Sequence, residues 1–440
     1  MYFPHSETEK KELLDAIGVG SFDDLIPSLP KNLRYPETGF PSRLTEPELV
    51  KYMQFLADQN DRMTTFIGAG AYDHFSPAAV RAIISRGEFS TAYTPYQPEA
   101  SQGTLQAIFE FQSLIAELYA MDVANASLYD GAAALAEAVL VAIRHTGRPE
   151  VILPDTVHPH YRQVVASYLS HTSARITLLP CPEGSLSPEA VKRAAGPETA
   201  CVVLQNPNFF GIIEDGRAVE PAVHAAGALL IASANPVSLG LVAPPGEYKA
   251  DIAVGEGQAL GLPLAYGGPY VGLFTCTQAL VRRMPGRVAG QTVDKEGKTA
   301  YVLTLQAREQ HIRREKATSN VCTNQNLCAL AATVYLTMLG PRGLEELAVL
   351  NARNARRAAL EIAKIPGFTL AFDKPFFNEF VVRCPKPAGE ISESLRKRGI
   401  LPGLPLGPYD PRLKDALLIN VTETKSTEDI RALIHALSHA

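Results

Sequence analysis

The chain has 440 residues, room for two to four domains and a large buried core, and with 46% apolar and 20% charged residues it is not a disordered chain. Its 41 Lys+Arg against 46 Asp+Glu give a formal net charge of −5, so it lacks the basic field that holds nucleic acid. No apolar run approaches the roughly 20 residues that span a bilayer. Met1 to Lys11 also carries Glu7, Glu9 and Lys10 where a signal peptide would be apolar. A soluble, cytoplasmic protein with no membrane partner is expected.

Residues 1–60 mix short helical patterns with Pro27, Pro30, Pro36, Pro41 and Pro47, and read as an N-terminal arm of the kind that buries itself on a partner subunit. From Ser101 a helical stripe follows through Leu105, Ile108, Phe109, Ile115 and Leu118. Branched apolar runs then recur at 151–153, 176–179, 201–204, 229–231, 252–254 and 270–274. Markers Leu153, Leu178, Val203, Ile231 and Ala253 lie 25, 25, 28 and 22 residues apart, room each time for a strand, a loop and a helix. Such spacing predicts crossovers and a mostly parallel sheet buried on both faces, with helices over 159–169, 188–195 and 217–226. Past Thr318 helices are expected over 324–339 and 342–365, parted by Gly340-Pro341. A strand over 377–384, a helix over 391–398, a strand over 417–422 and a Thr427-capped helix over 428–437 complete the pattern. The expected plan is an α/β domain over 61–325 and a smaller α+β domain over 326–440.

The six cysteines form no C-x-x-C pair and read as free thiols. His158-Pro159-His160 lacks the neighbouring carboxylates or cysteines that would fill a four-ligand metal site. A large parallel-sheet domain followed by a small α+β domain is a plan used by many pyridoxal-phosphate enzymes. That chemistry requires a lysine amine, an acid beside the pyridine nitrogen and a helix N-terminus for the phosphate.

Tyr129-Asp130-Gly131-Ala132-Ala133 opens a long apolar helix, but Asp130 would cap its N–H groups and repel phosphate. The strand Leu229-Leu230-Ile231 should deliver an aspartate at its carboxyl end, where Ala232 and Ser233 stand. The next strand is followed by Gly255-Glu256-Gly257-Gln258, and no lysine occurs between Lys249 and Lys295. Lys249 precedes that strand, at the wrong end of a parallel sheet, and reads as a surface residue. Lys316 lies in the charged run Arg308 to Lys316, a solvated or partner-facing helix or the wall of a substrate channel. Tyr266-Gly267-Gly268-Pro269 reads as a tight turn. The loop Tyr93 to Gly103 sets two tyrosines and several amide or acid groups between prolines, as a site or interface is lined.

Taken together, Ile67-Gly68-Ala69-Gly70-Ala71-Tyr72-Asp73-His74, the Tyr93 to Gly103 loop, Gly255 to Gln258, Tyr266 to Pro269, Arg308 to Asn320 and Asn420-Val421-Thr422-Glu423-Thr424 resemble the glycine cleavage system P-protein, over nearly the whole chain. The likeness is narrower still to the α chain of its two-chain form. The resemblance implies a fold-type-I pyridoxal-phosphate architecture in an α2β2 assembly. In it the β subunit carries the pyridoxal phosphate, binds and decarboxylates glycine, and passes the aminomethyl group to lipoylated H-protein. It further implies that Gln258 stands where β chains have a His-Lys pair, that Ala232 holds the pyridine-acid position, and that Phe210 replaces a ring-stacking histidine.

This chain would then be a required subunit with no catalytic, cofactor or metal residue of its own. Tyr93, Tyr96, Gln97, Gln102, His311 and Arg313 are its candidates for the β interface or substrate passage. The competing readings are an autonomous pyridoxal-phosphate enzyme and a pure binding or regulatory protein.

Overall fold

The computed structural model describes residues 5–34 and 44–440, so Pro36 and Pro41 lie outside the described residues. The chain divides into two units after Asp61. In the first, helix α1 (Glu7–Ile17) opens on a reciprocal cap: the Ser6 hydroxyl accepts from the Glu9 N–H and the Glu9 carboxylate accepts from the Ser6 N–H. In α2 (Glu46–Asp58) Glu48 likewise accepts the N–H of Thr45. Neither helix buries a side chain, and Leu13, Ile17, Leu49, Met53 and Leu56 are exposed.

The second unit is built on a seven-stranded sheet. Its strands are β1 (Val123–Ala124), β2 (Glu150–Pro154), β3 (Arg175–Leu179), β4 (Thr199–Asn206), β5 (Leu229–Ala234), β6 (Ile252–Glu256) and β7 (Gly272–Cys276). They lie in the order β1-β7-β6-β5-β4-β2-β3. Strands β2 to β6 are parallel, as their spacing predicted. Strand β7 runs antiparallel to β6, because residues 257–271 hold turns and no crossover helix. Helices α3 (Gln102–Leu118), α4 (Gly131–Thr146), α5 (Pro159–Leu169), α6 (Pro188–Ala194) and α7 (Gly216–Ala225) fill the connections.

Side chains along each strand alternate between two apolar clusters. Val203, Ile231 and Val254 pack with Leu135 and Val139 of α4, while Val202, Leu230 and Ala232 face the opposite layer with Ile115 and Tyr335.

The hairpin β8 (Val288–Val293) and β9 (Thr299–Thr304) has no counterpart among the expected strands. The charged run after it is not one helix: short turns over Gln306–Arg308, Gln310–Arg313 and Arg314–Lys316 break at Arg314, whose φ is 52°. The two expected helices after Thr318 are present within α8 (Asn326–Ile362) and are parted at Gly340 as expected, where φ 62° and ψ 179° leave the helical region. By length and composition α8 could cross a membrane, contrary to the expectation from sequence, but half of its apolar window is buried inside the chain. Its second half packs on a small sheet of β10 (Thr369–Leu370), β11 (Glu379–Arg383), β12 (Leu404–Pro405) and β13 (Ala416–Asn420), ordered β10-β11-β13-β12. Helices α9 (Ala388–Arg396) and α10 (Thr427–Leu437) close that layer. The cap of α10 is Ser426, one residue before the expected Thr427, and its hydroxyl accepts from the Asp429 N–H.

Candidate functional site

Open parallel sheets offer ligands a crevice beyond the carboxyl ends of their strands. Here Gln205 and Ser233, one residue before the ends of β4 and β5, and Glu256 at the end of β6 line a cavity of about 40 Å³ with Tyr72, His158 and Gln258. Among the described residues no lysine or arginine lines it. Lys249 and Lys316 are both exposed, and neither reaches it.

Glu256 reaches under the start of α4. Its Oε2 accepts the Gly131 N–H at 2.9 Å, and Oε1 accepts those of Gln258 at 2.9 Å and Val271 at 3.2 Å. Burial pushes its pKa up to about 8, against the lowering effect of these donors. Asp130 caps the same helix, accepting the Ala133 N–H at 2.7 Å. The approach at Gly131 demands glycine, since a Cβ there would lie 2.6 Å from the Tyr161 hydroxyl. Two carboxyl groups thus occupy two amides of this helix N-terminus, those of Gly131 and Ala133.

Gln258 is almost fully buried, and its amide is used completely. Oε1 accepts the Tyr72 N–H at 2.9 Å, and Nε2 donates to the carbonyls of Tyr72 and Leu262 at 2.9 Å each. It thereby fastens residues 67–74 across the cavity. Glu379 on β11 holds the same segment, accepting from the Ala69 N–H at 2.6 Å and the Tyr72 hydroxyl at 2.7 Å. Burial raises its pKa to about 7. His74 pairs with Glu423 at 2.8 Å, Lys425 with Asp73 at 2.8 Å, and the Thr422 hydroxyl donates to the Asp73 carbonyl at 2.6 Å. Two strings far apart in sequence, 67–74 and 420–424, are therefore one packed unit.

Two expectations about the cavity change. Ala232 is completely buried in the apolar layer on the other face of the sheet and does not line the cavity, whereas Ser233 and Ala234 of β5 do. The alternation of a strand makes a shift of one residue a change of face. Phe210 packs with Ile212 and Leu418 and does not line the cavity, whose rings are those of Tyr72, His158 and Tyr161. Nδ1 of His158 accepts the His160 N–H at 3.1 Å and Nε2–H donates to the Ala69 carbonyl at 2.7 Å, which fixes one neutral tautomer. Burial lowers its pKa to about 4. The sequence signal for His158 was its place just past a strand's carboxyl end. Among the described residues no three His, Cys, Asp or Glu side chains group as a metal site.

The six interface candidates line none of this cavity. Tyr96 and His311 meet edge to face at 5.9 Å, beside the buried Arg287, which sequence reasoning had missed. Arg287 donates to the Tyr96 hydroxyl at 3.1 Å, the Thr323 hydroxyl at 3.0 Å and the Cys322 carbonyl at 2.6 Å, and stands 3.9 Å from Glu309. Gln102 ties the start of α3 to the hairpin through both backbone groups of Tyr301, at 2.9 Å each. Tyr93, Gln97 and Arg313 are exposed, with Arg313 donating to the Ala307 carbonyl at 3.2 Å.

The model of the family described as glycine cleavage system P-protein matches residues 1–437. A probable glycine dehydrogenase (decarboxylating) subunit 1 of Desulfitobacterium hafniense is 51% identical over 98% of this chain and 98% of its own length. This chain belongs to the glycine cleavage system P-protein family. A solved P-protein, the glycine decarboxylase of the glycine cleavage system in inhibitor-bound form, superposes with a TM-score of 0.93 at 44% identity, covering 100% of this chain and 99% of that one. Pyridoxamine-pyruvate aminotransferase from Mesorhizobium loti superposes with a TM-score of 0.60 at 17% identity over 87% of this chain and 92% of its own, a likeness of fold. The chain thus has the fold-type-I architecture expected from its sequence.

Proposed function

We propose that this chain is subunit 1 of a two-subunit glycine dehydrogenase (decarboxylating), a required partner that holds no pyridoxal phosphate itself. The cofactor belongs to the second subunit, which binds and decarboxylates glycine and delivers the aminomethyl group to lipoylated H-protein. What carries this reading is Gln258, whose amide is bonded on both sides to backbone where an anchoring lysine would be needed.

The other groups of the cavity agree. Pyridoxal phosphate does not fit them: Asp130 and Glu256 occupy the amides that would receive a phosphate dianion, and Ser233 offers no acid to a pyridine nitrogen. The chain's contribution is structural and positional. Residues 67–74 are locked over the cavity, and Tyr93, Tyr96, Gln97, Gln102, His311 and Arg313 are assigned to the second subunit or its substrate passage. A cytoplasmic location accompanies this reading, supported by six unpaired cysteines.

The test is borohydride reduction of the isolated chain mixed with pyridoxal phosphate, followed by peptide mapping. No lysine should carry a stoichiometric pyridoxyl label, and glycine should release no CO₂. A single labelled lysine accompanied by CO₂ release overturns the reading in favour of an autonomous enzyme.

A further inference from the structure

A second cleft of about 180 Å³, the space of about six waters, opens between the ends of β2 and β3 and the turn Pro411–Leu413 of the C-terminal layer. It is separate from the cavity at the ends of β4 to β6, and the role proposed above does not use it.

Its polar rim carries both signs of charge. Asp410 accepts from Arg412 at 2.7 Å, and the same guanidinium reaches Asp155 at 3.3 Å across the two layers. Arg162, on the first turn of α5, is different. Only its Nε is bonded, to the Val157 carbonyl at 2.9 Å; among the described residues its terminal nitrogens have no hydrogen-bond or ion-pair partner. Burial lowers the pKa of Arg162, while Asp155 and Asp410 raise it. A half-buried guanidinium with its forked edge free is the group that receives a carboxylate in two parallel bonds.

The opposite wall is apolar. Phe209 and Tyr409 stand ring to ring at 5.8 Å, and Leu178 lies open at the rim with 51% of its surface exposed. The volume is too small for a nucleotide or a folded segment. A ligand here meets a guanidinium at one end, carboxylates beside it and rings along its flank.

We infer that this cleft binds one free α-amino acid with an apolar side chain, its carboxylate on Arg162, its ammonium toward Asp155 and Asp410, and its side chain against Leu178, Phe209 and Tyr409. Such a ligand bridges the large sheet and the C-terminal layer. It also sits one ring from the first cavity, because Phe209 meets His158 edge to face at 5.1 Å.

Isothermal titration of the purified full chain with L-leucine, glycine and L-leucinamide tests this. L-Leucine should bind saturably, with glycine weaker by about tenfold or more for want of a side chain and L-leucinamide weaker by at least as much for want of a carboxylate. Arg162→Gln should lower L-leucine affinity by about tenfold or more. Because that change also touches the Val157 contact, Leu178→Glu serves as a second variant; its site is exposed, so the melting temperature should hold while binding is lost. The imidazole resonances of His158 should shift on L-leucine binding to the wild type. Equal binding of L-leucine and L-leucinamide, unaltered binding in both variants, or no saturable binding by about 10 mM overturns the assignment.

Discussion

The cavity at the strand ends and the patch around Arg287 are both polar and both withdrawn from water, yet they are built in opposite ways. At the cavity the lining groups are satisfied from within: Glu256 accepts three N–H groups, Gln258 makes three bonds and Glu379 holds two, and among the described residues the unmet groups of the layer behind them are His74 Nε2 and Asn378 Nδ2. Around Arg287 the pairing is incomplete. Arg287 Nε and Glu309 Oε1 are buried without a hydrogen-bond partner among the described residues, and so is Oε2 of Glu137, which faces Ser319 of the same segment. An unmade buried bond costs about 1–3 kcal/mol, more where the group is charged. A closed network is complete as it stands; an open one has bonding capacity left for another molecule. Tyr96 and His311, two residues of the proposed partner surface, lie beside the open patch and do not line the cavity.

The strongest challenge to the contrast is Arg287→Ala. It removes three donated hydrogen bonds and leaves Glu309 buried without its cation, so the chain should lose about 3–5 kcal/mol in denaturant unfolding. A loss below about 1 kcal/mol would mean that the pair is solvated and the patch is an ordinary surface. On the cavity side, Gln258→Ala leaves the Tyr72 N–H and two carbonyls unpaired and should cost about 2–3 kcal/mol. Gln258→Lys should be destabilising too, since an ammonium can donate to the carbonyls but cannot accept the Tyr72 N–H. If Gln258→Lys melts at or above the wild-type temperature, the cavity does not need its amide and the closed network is misread.

A pH series sharpens the comparison at Glu137. Burial raises its pKa from 4.5 to about 7, so the native state holds the proton more tightly than the unfolded chain does. The contribution is intact below pH 4.5 and is lost as pH rises through about 7. Glu137→Gln is neutral throughout and should remove that slope. The variant should match the wild type at low pH and exceed it by about 2 kcal/mol above the transition. Equal stability of the two proteins at high pH would show that Glu137 keeps its charge by a partner supplied from water.

How far the sequence could be read follows the same division between regular and idiosyncratic structure. The parallel strands were legible because runs such as Val151-Ile152-Leu153 are apolar on both faces and evenly spaced. The cavity was found through the end of β6, where a lysine was sought and Gln258 stands. Its other walls depended on phase and on distant chain: Ser233 and not Ala232 turns inward, and Tyr72 arrives from nearly two hundred residues away. His158 was set aside as half of an underfilled metal site, when its neutral imidazole is held by two backbone bonds. Arg287 left no signal at all, since a lone arginine before a hairpin looks solvated until Tyr96, Glu309 and Thr323 close around it.

The smallest expected effect on the fold falls at Arg313, and it is the one that separates stability from assembly. Its side chain is exposed and makes a single bond to the Ala307 carbonyl, so Arg313→Ala should change unfolding by no more than about 0.5 kcal/mol. With Arg308, Arg314 and Lys316 it nevertheless concentrates positive charge on a segment broken into short turns. Charge at the rim of an interface acts mainly on association rate and its salt dependence. The variant should therefore bind the second subunit or H-protein more slowly at low ionic strength, and the difference should shrink as salt shortens the Debye length toward about 8 Å. Stopped-flow association at two salt concentrations reads this directly. If Arg313→Ala associates with both proteins at the wild-type rate in low salt and supports full glycine turnover, Arg313 belongs to neither surface.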